Sequence, residues 1–195
     1  MGMPLLAEHH WTPEELLALP WDGQRHECID GVHVLTPSPS EPHQSVVTRL
    51  LAALIPYVDA AGLGNVYTSP ADLRLTTGAL VQPDIFVVPA NQTGRGWEGV
   101  RSPLLVIEIL SPGTARYDRG LKRHYYQSAP VGEFWIVDAE ARLVERWLPS
   151  DERPEICSGS IAWRPSQDKE PLTIDLPALF RKALFDETGA DYRPQ

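Results

Sequence analysis

The run from Leu104 to Leu110 reads Leu-Leu-Val-Ile-Glu-Ile-Leu, apolar at every position but one. A strand with one face in water alternates apolar and polar side chains, whereas an unbroken run belongs to a strand covered on both faces. Such a strand needs other elements packed above and below it, which predicts an α/β (α+β) fold with a central, covered sheet. The exception, Glu108, tightens the requirement. An ionised carboxylate inside an apolar strand costs several kcal/mol unless a cation or hydrogen-bond donors meet it. The fold must therefore bring a partner to that position.

The flanking sequence supplies the covering layers. Thr12-Pro13-Glu14-Glu15 predicts a helix start, with Thr12 as N-cap, Pro13 at the first helical position and Glu15 completing a capping box, and the helix runs to Leu19 before Pro20. Glu27 to Leu35 predicts two short strands about the Asp30-Gly31 turn. Pro37, Pro39 and Pro42 predict an open loop; from His43 onward, Val46, Val47, Leu50, Leu51, Leu54 and Ile55 repeat at helical spacing. Val66 to Val88 alternates as two or three strands, with Asp84, Phe86 and Val88 on one face. After Ser111-Pro112-Gly113, Thr114 is placed to cap a helix running to about Ser128. Glu133–Asp138 and Leu143–Leu148 predict a hairpin, followed by a strand at Ser160–Trp163 and a short helix at Pro177–Leu184. With 195 residues, no linker and no repeat, one domain is expected, its core over about 12–150 and a looser tail over 151–195.

Several classes of function are disfavoured. No apolar stretch reaches the roughly 18 residues of a membrane helix, and Met1 to His10 lacks the pattern of a secretion signal, so a cytoplasmic protein without membrane contact is expected. Cys28 and Cys157 belong to no zinc-ligand spacing and are expected as reduced thiols. Gly94-Arg95-Gly96-Trp97-Glu98-Gly99 matches a dinucleotide fingerprint in letters only, because a strand rather than a helix follows it. A net charge of −9 opposes bulk coating of nucleic acid. Attraction to a polyanion would have to concentrate at the densest basic segment, Arg116, Arg119, Lys122 and Arg123.

The remaining chemistry gathers around Glu108. If the strand carrying Asp84 pairs with the Glu108 strand, the two carboxylates lie together and repel unless one is protonated or a cation sits between them. Hard oxygen ligands of that kind favour Mg²⁺ or Mn²⁺. The plainer account of Glu108 is a buried salt bridge to an Arg or Lys of the following helix. For Asp118 and Lys122, four apart on that helix, it is a surface ion pair contributing roughly 0.3 to 0.5 kcal/mol. Alternatively, the helix folds back over the strand and brings Lys122 or Tyr126 to the carboxylates. Glu27 and His43 are further candidates, with a strand-end charge and helix capping or exposure as their respective plainer accounts.

The order His26-Glu27-Cys28-Ile29-Asp30-Gly31, His43, Gln82-Pro83-Asp84-Ile85, Val106-Ile107-Glu108-Ile109-Leu110-Ser111-Pro112, Asp118 with Lys122 and Tyr125, and Val131 to Asp138 resembles the Uma-two family. That family groups bacterial proteins regarded as restriction endonucleases within the PD-(D/E)XK nuclease superfamily. The resemblance runs from about Thr12 to Asp138. It implies a restriction-endonuclease-like mixed sheet flanked by helices, with Asp84, Glu108 and the Ile109 carbonyl as metal ligands. In such nucleases the metal activates water and neutralises charge on the phosphodiester while a lysine attends the water. Here the motif's lysine position is Leu110, and Lys122 on the next helix takes its place. The resemblance further implies supporting roles for Glu27, Gln82 and Tyr125.

The leading expectation is thus a Mg²⁺-dependent endonuclease hydrolysing DNA, with Asp84, Glu108 and Lys122 catalytic. The alternatives are a catalytically silent nuclease-fold binding or regulatory module and a metal-dependent hydrolase of another phosphate ester. By analogy, cutting both strands with one site per chain calls for a homodimer.

Overall fold

The computed structural model describes residues 9–36 and 38–185. Helix α1 (Pro13–Leu17) opens on the expected capping box: the Glu15 amide donates to Thr12 Oγ1, and the Thr12 amide donates to the Glu15 carboxylate at 2.8 Å. Strands β1 (Arg25–Ile29) and β2 (Val32–Thr36) form the expected hairpin. Asp30 and Gly31 both adopt left-handed backbone, with φ of 50° and 80°, the doubly left-handed turn that a twisted two-stranded ribbon requires. A Cβ on Gly31 would also run into the His10 ring. Gly31→Ala is therefore expected to cost about 1–2 kcal/mol, measured as a fall in the urea midpoint with the slope unchanged.

Helix α2 (Glu41–Ala60) begins earlier than its apolar pattern suggests. Ser40 caps it, and Pro42 sits in the first turn, where a missing N–H costs nothing, so Pro42 belongs to the helix and not to a loop. Pro37 lies outside the described residues. The buried stripe is Val46, Val47, Leu50, Leu54 and Val58, with Ile55 left largely exposed. Strands β3 (Gly64–Thr68) and β4 (Ile85–Pro89) follow, and the segment between them makes only isolated bridges, Leu73 to Val81 and Leu80 to Cys28. The Leu80 bridge fastens the β1–β2 hairpin to the body.

The apolar run becomes β5 (Leu105–Ile109), buried at every residue. Beyond it the predicted single helix is three pieces: α3 (Ala115–Tyr117), a π-helical turn over Asp118–Lys122, and α4 (Arg123–Ser128). Thr114 makes no side-chain cap; its hydroxyl pairs with Ser111 Oγ at 2.9 Å. Then come β6 (Phe134–Asp138), β7 (Leu143–Trp147), β8 (Glu155–Cys157), β9 (Ser160–Trp163), β10 (Leu172–Asp175) and α5 (Leu176–Ala183). The short, mostly exposed β8 and β10 gave no periodic signal of their own.

One mixed sheet in the order β3-β4-β5-β6-β7-β8 carries the molecule, parallel only between β5 and β6, whose connection is the α3–α4 segment. Its two faces have separate cores. On one, Ile85, Val87, Ile107 and Trp135 pack with Leu50 and Leu54 of α2, Phe180 of α5 and Trp163 of β9. On the other, Phe86, Val106, Phe134 and Ile136 pack with Tyr125 and Tyr126 of α4. This double cover explains why β5 lacks alternation. Both cysteines are free and buried, and no helix among the described residues is long and apolar enough to cross a membrane.

Candidate active site

Strands β4 and β5 pair antiparallel, Ile85 opposite Ile107, which brings Asp84, just before β4, beside the end of β5. The Asp84 carboxylate is buried and fully engaged. Oδ2 accepts from the Ile109 amide at 2.9 Å and lies 3.1 Å from His43 Nε2, and Oδ1 accepts from Arg25 Nη1 at 3.1 Å. Burial would raise its pKa, but His43, the Ile109 amide and Lys122 together bring it below the usual carboxylate range.

Glu108 finds its compensation in the following helix. Its Oε1 accepts from Lys122 Nζ at 2.9 Å and from the Tyr126 hydroxyl at 3.0 Å. Lys122 Nζ also lies 2.9 Å from Glu27 Oε1 and 3.9 Å from Asp118. The two accounts of Glu108 coincide here: it has a buried salt bridge, and the bridge is to the lysine in question. Asp118 and Lys122 are each 3% exposed, so the surface-pair account of them is wrong. A π turn widens the helix by one residue per turn, and this one carries Asp118 and Lys122 to the side facing the sheet. Periodicity of 3.6 does not forecast such a turn.

Glu27 is 1% exposed in the middle of β1, not a strand-end charge. It is held by Lys122, the Gln82 amide at 2.8 Å and the Thr36 hydroxyl at 3.1 Å. His43 is neither cap nor surface: Ser40 caps α2, and His43 faces Asp84. Gln82 serves through its backbone, while its side chain turns to Asp72. Tyr125 is not at the acids; its hydroxyl accepts from the Leu75 amide at 3.2 Å, and its neighbour Tyr126 reaches Glu108 instead. Of the basic segment, Arg116 is exposed, and two of the other members are engaged away from the acids. Arg119 pairs with Asp138 and Glu145, and Arg123 stacks on Trp147. Arg25 had no distinguishing signal; an acid partner 59 residues away cannot be read from periodicity.

Arg25, His43, Asp84, Glu108, Asp118 and Lys122 line a cavity of about 30 Å³, with Ile109 in its wall. That volume admits one water or a small ion. Four buried carboxylates (Glu27, Asp84, Glu108, Asp118) face two permanent cations (Arg25, Lys122). The surplus is negative. Burial pushes the Glu108 carboxyl well up, opposed by Lys122 and reinforced by Asp84 and Glu27, and Asp118 is raised in the same way. Lys122 shows the converse: burial favours its neutral form, but Glu108, Glu27 and Asp118 hold it well above the usual lysine range.

A divalent cation would relieve this surplus. Among the described residues no three His, Cys, Asp or Glu side chains converge to hold a metal ion alone. Zinc-type coordination, built from several such ligands, does not fit. Mg²⁺ takes one or two carboxylates and fills its shell with water and substrate oxygens, so a cavity with Asp84 and Glu108 in its wall suits it.

A covered mixed sheet whose strand ends present two acids, met by a lysine from the crossover segment, defines a restriction-endonuclease-like fold. The family Uma2, described as "Putative restriction endonuclease", matches residues 13–179, and the chain belongs to this family. A crystal structure of a "putative nuclease belonging to DUF820" from Anabaena variabilis superposes with a TM-score of 0.72 at 19% identity, over 89% of this chain and 99% of that one. Among curated proteins, "Uncharacterized protein slr1290" of Synechocystis is 29% identical over 148 residues, covering 72% of this chain and 75% of the relative.

Proposed function

We propose that this chain is a Mg²⁺- or Mn²⁺-dependent endonuclease that hydrolyses phosphodiester bonds of DNA. The observation that carries the reading is the shared cavity of Asp84 and Glu108, with Lys122 Nζ 2.9 Å from Glu108. Asp84, Glu108 and the Ile109 backbone would hold the ion, which when bound supplies a Lewis acid for a phosphoryl oxygen and an acidified water. Lys122, kept as an ammonium by its carboxylates, donates hydrogen bonds and positive charge to an attacking water or a phosphate oxygen. It orients rather than abstracts. Tyr126 and Glu27 fix that lysine and its carboxylate partner in place, and the Ile109 amide fixes Asp84.

The test is cleavage of single- and double-stranded DNA with Mg²⁺ or Mn²⁺, against EDTA and the Asp84→Ala and Glu108→Ala variants. Metal-dependent cutting absent from both variants is the expected result; cutting that survives both sinks the assignment of the acids.

A second reading has its own observation. Every acid of the site already has a protein cation or donor, as a silent binding module would have. Folded protein that binds Mg²⁺ and nucleic acid without cutting would support it. A homodimer remains part of the nuclease proposal, and sedimentation with and without DNA reads it directly.

A further inference from the structure

An acidic nuclease must still hold a polyanion, and the helix that carries most of its clustered basic residues has spent Arg119, Lys122 and Arg123 on protein partners. A cation with donors to spare lies on the other side of Asp84. Arg25 makes both of its hydrogen bonds through Nη1, to Asp84 at 3.1 Å and to Ser69 Oγ at 3.1 Å. Its Nε is buried with no partner among the described residues. The Nε–Nη2 edge is the one that meets phosphate oxygens in pairs.

Arg25 also borders a second cavity, of about 160 Å³, lined by Arg25, His43, Asp84, Gln44, Thr68 and Ser69 and sharing the first three with the carboxylate cavity. The His43 ring, 7% exposed, has its Nδ1 buried and unpartnered as well. A buried donor left unpaired is destabilising, so an occupant bringing an acceptor to Arg25 is favoured, while His43 Nδ1, whose ring partner Nε2 faces Asp84, takes its hydrogen bond from a water or hydroxyl. The volume is well below the roughly 300–1,000 Å³ of a pocket for a drug-sized molecule. It suits a phosphate group better than a buried nucleoside.

We propose that Arg25, with His43 at its side, forms a phosphate subsite that seats a backbone phosphate of the nucleic-acid strand beside Asp84. This rests on the nuclease reading and adds to it where the strand runs: past the β1 end, the first turn of α2 and the end of β3. Arg25 then has two duties, pinning Asp84 through Nη1 and gripping phosphate through its free edge. Lysine can perform the first but not the paired grip of the second.

The experiment is fluorescence anisotropy of labelled single- and double-stranded oligonucleotides with Ca²⁺ in place of Mg²⁺. Binding is titrated from about 50 to about 200 mM salt, a range over which phosphate contacts show as a slope in log K against log salt. Wild type, Arg25→Gln and Arg25→Lys are compared, with a thermal melt of each. Arg25→Gln is expected to lose about one unit of slope and about tenfold in affinity. Arg25→Lys is expected to keep the slope and bind several-fold more weakly.

Wild-type binding with slope and affinity unchanged in Arg25→Gln overturns the subsite and leaves the nuclease reading standing. Weaker binding at unchanged slope also overturns it, because Arg25 then acts only through Asp84. Should Arg25→Gln fail to melt cooperatively, Arg25→Lys decides, and wild-type affinity there overturns the proposal. A folded wild type that binds neither oligonucleotide overturns subsite and nuclease reading together.

Discussion

Replacing Lys122 by methionine is expected to lower stability by about 3–5 kcal/mol, the cost of stripping one partner from a buried ion pair. Methionine matches the length of the stem, so the loss is the ammonium and not the packing. Without it Glu108, Glu27 and Asp118 lie within one another's reach with no cation among them. Urea denaturation measures the fall. Two features separate this from an ordinary core lesion. Mg²⁺ should restore more stability to Lys122→Met than it adds to wild type, because the variant has the larger negative surplus. Combining Lys122→Met with Glu108→Gln should cost less than the sum of the two, since the residues are in contact. Strict additivity would mean that the 2.9 Å contact contributes no coupling. DNA cleavage by Lys122→Met should fall with the loss of the donor at the water.

Glu108→Gln is expected to separate catalysis from folding. The amide oxygen can still accept from Lys122 and Tyr126, and the substitution removes one charge from a cluster that burial already drives toward protonation. Stability in metal-free buffer should therefore hold or rise, whereas Glu108→Ala also discards both hydrogen bonds. Cleavage should fall about 10³-fold or more, corresponding to several kcal/mol of transition-state charge stabilisation. Isothermal titration should show weakened Mg²⁺ binding in the same variant. Wild-type cleavage rates in Glu108→Gln would remove Glu108 from the catalytic set.

The covered strand, the capped first helix, the Asp30-Gly31 hairpin and the crossover helix after β5 were legible because each depends on neighbours within a few residues. Glu108 was legible for a different reason: a charge in an apolar run breaks a rule, and the break itself demands a partner. Asp84 became a candidate once its strand could be paired with that run. The start of α2 was misplaced because Pro42 reads as a breaker unless Ser40 is seen to cap the turn that tolerates it.

Other assignments depended on contacts that no local pattern encodes. Tyr125 and Tyr126 are adjacent, and only the π turn decides that the second faces Glu108 while the first faces Leu75. His43 and Glu27 were candidates whose plainer accounts, helix capping or exposure and a strand-end charge, gave way only once α2 and the hairpin folded over the strand ends. Arg25 was invisible, since its meaning comes from Asp84, which is distant in sequence and 3.1 Å away in space. By itself the sequence determined most of the elements and that Glu108 had to be neutralised, because propensity and the cost of a buried charge act locally. Which cation neutralises it, which acids share its cavity and which arginine keeps a free edge were decided by tertiary structure alone, because those energies arise between groups that only the folded sheet brings within hydrogen-bonding distance.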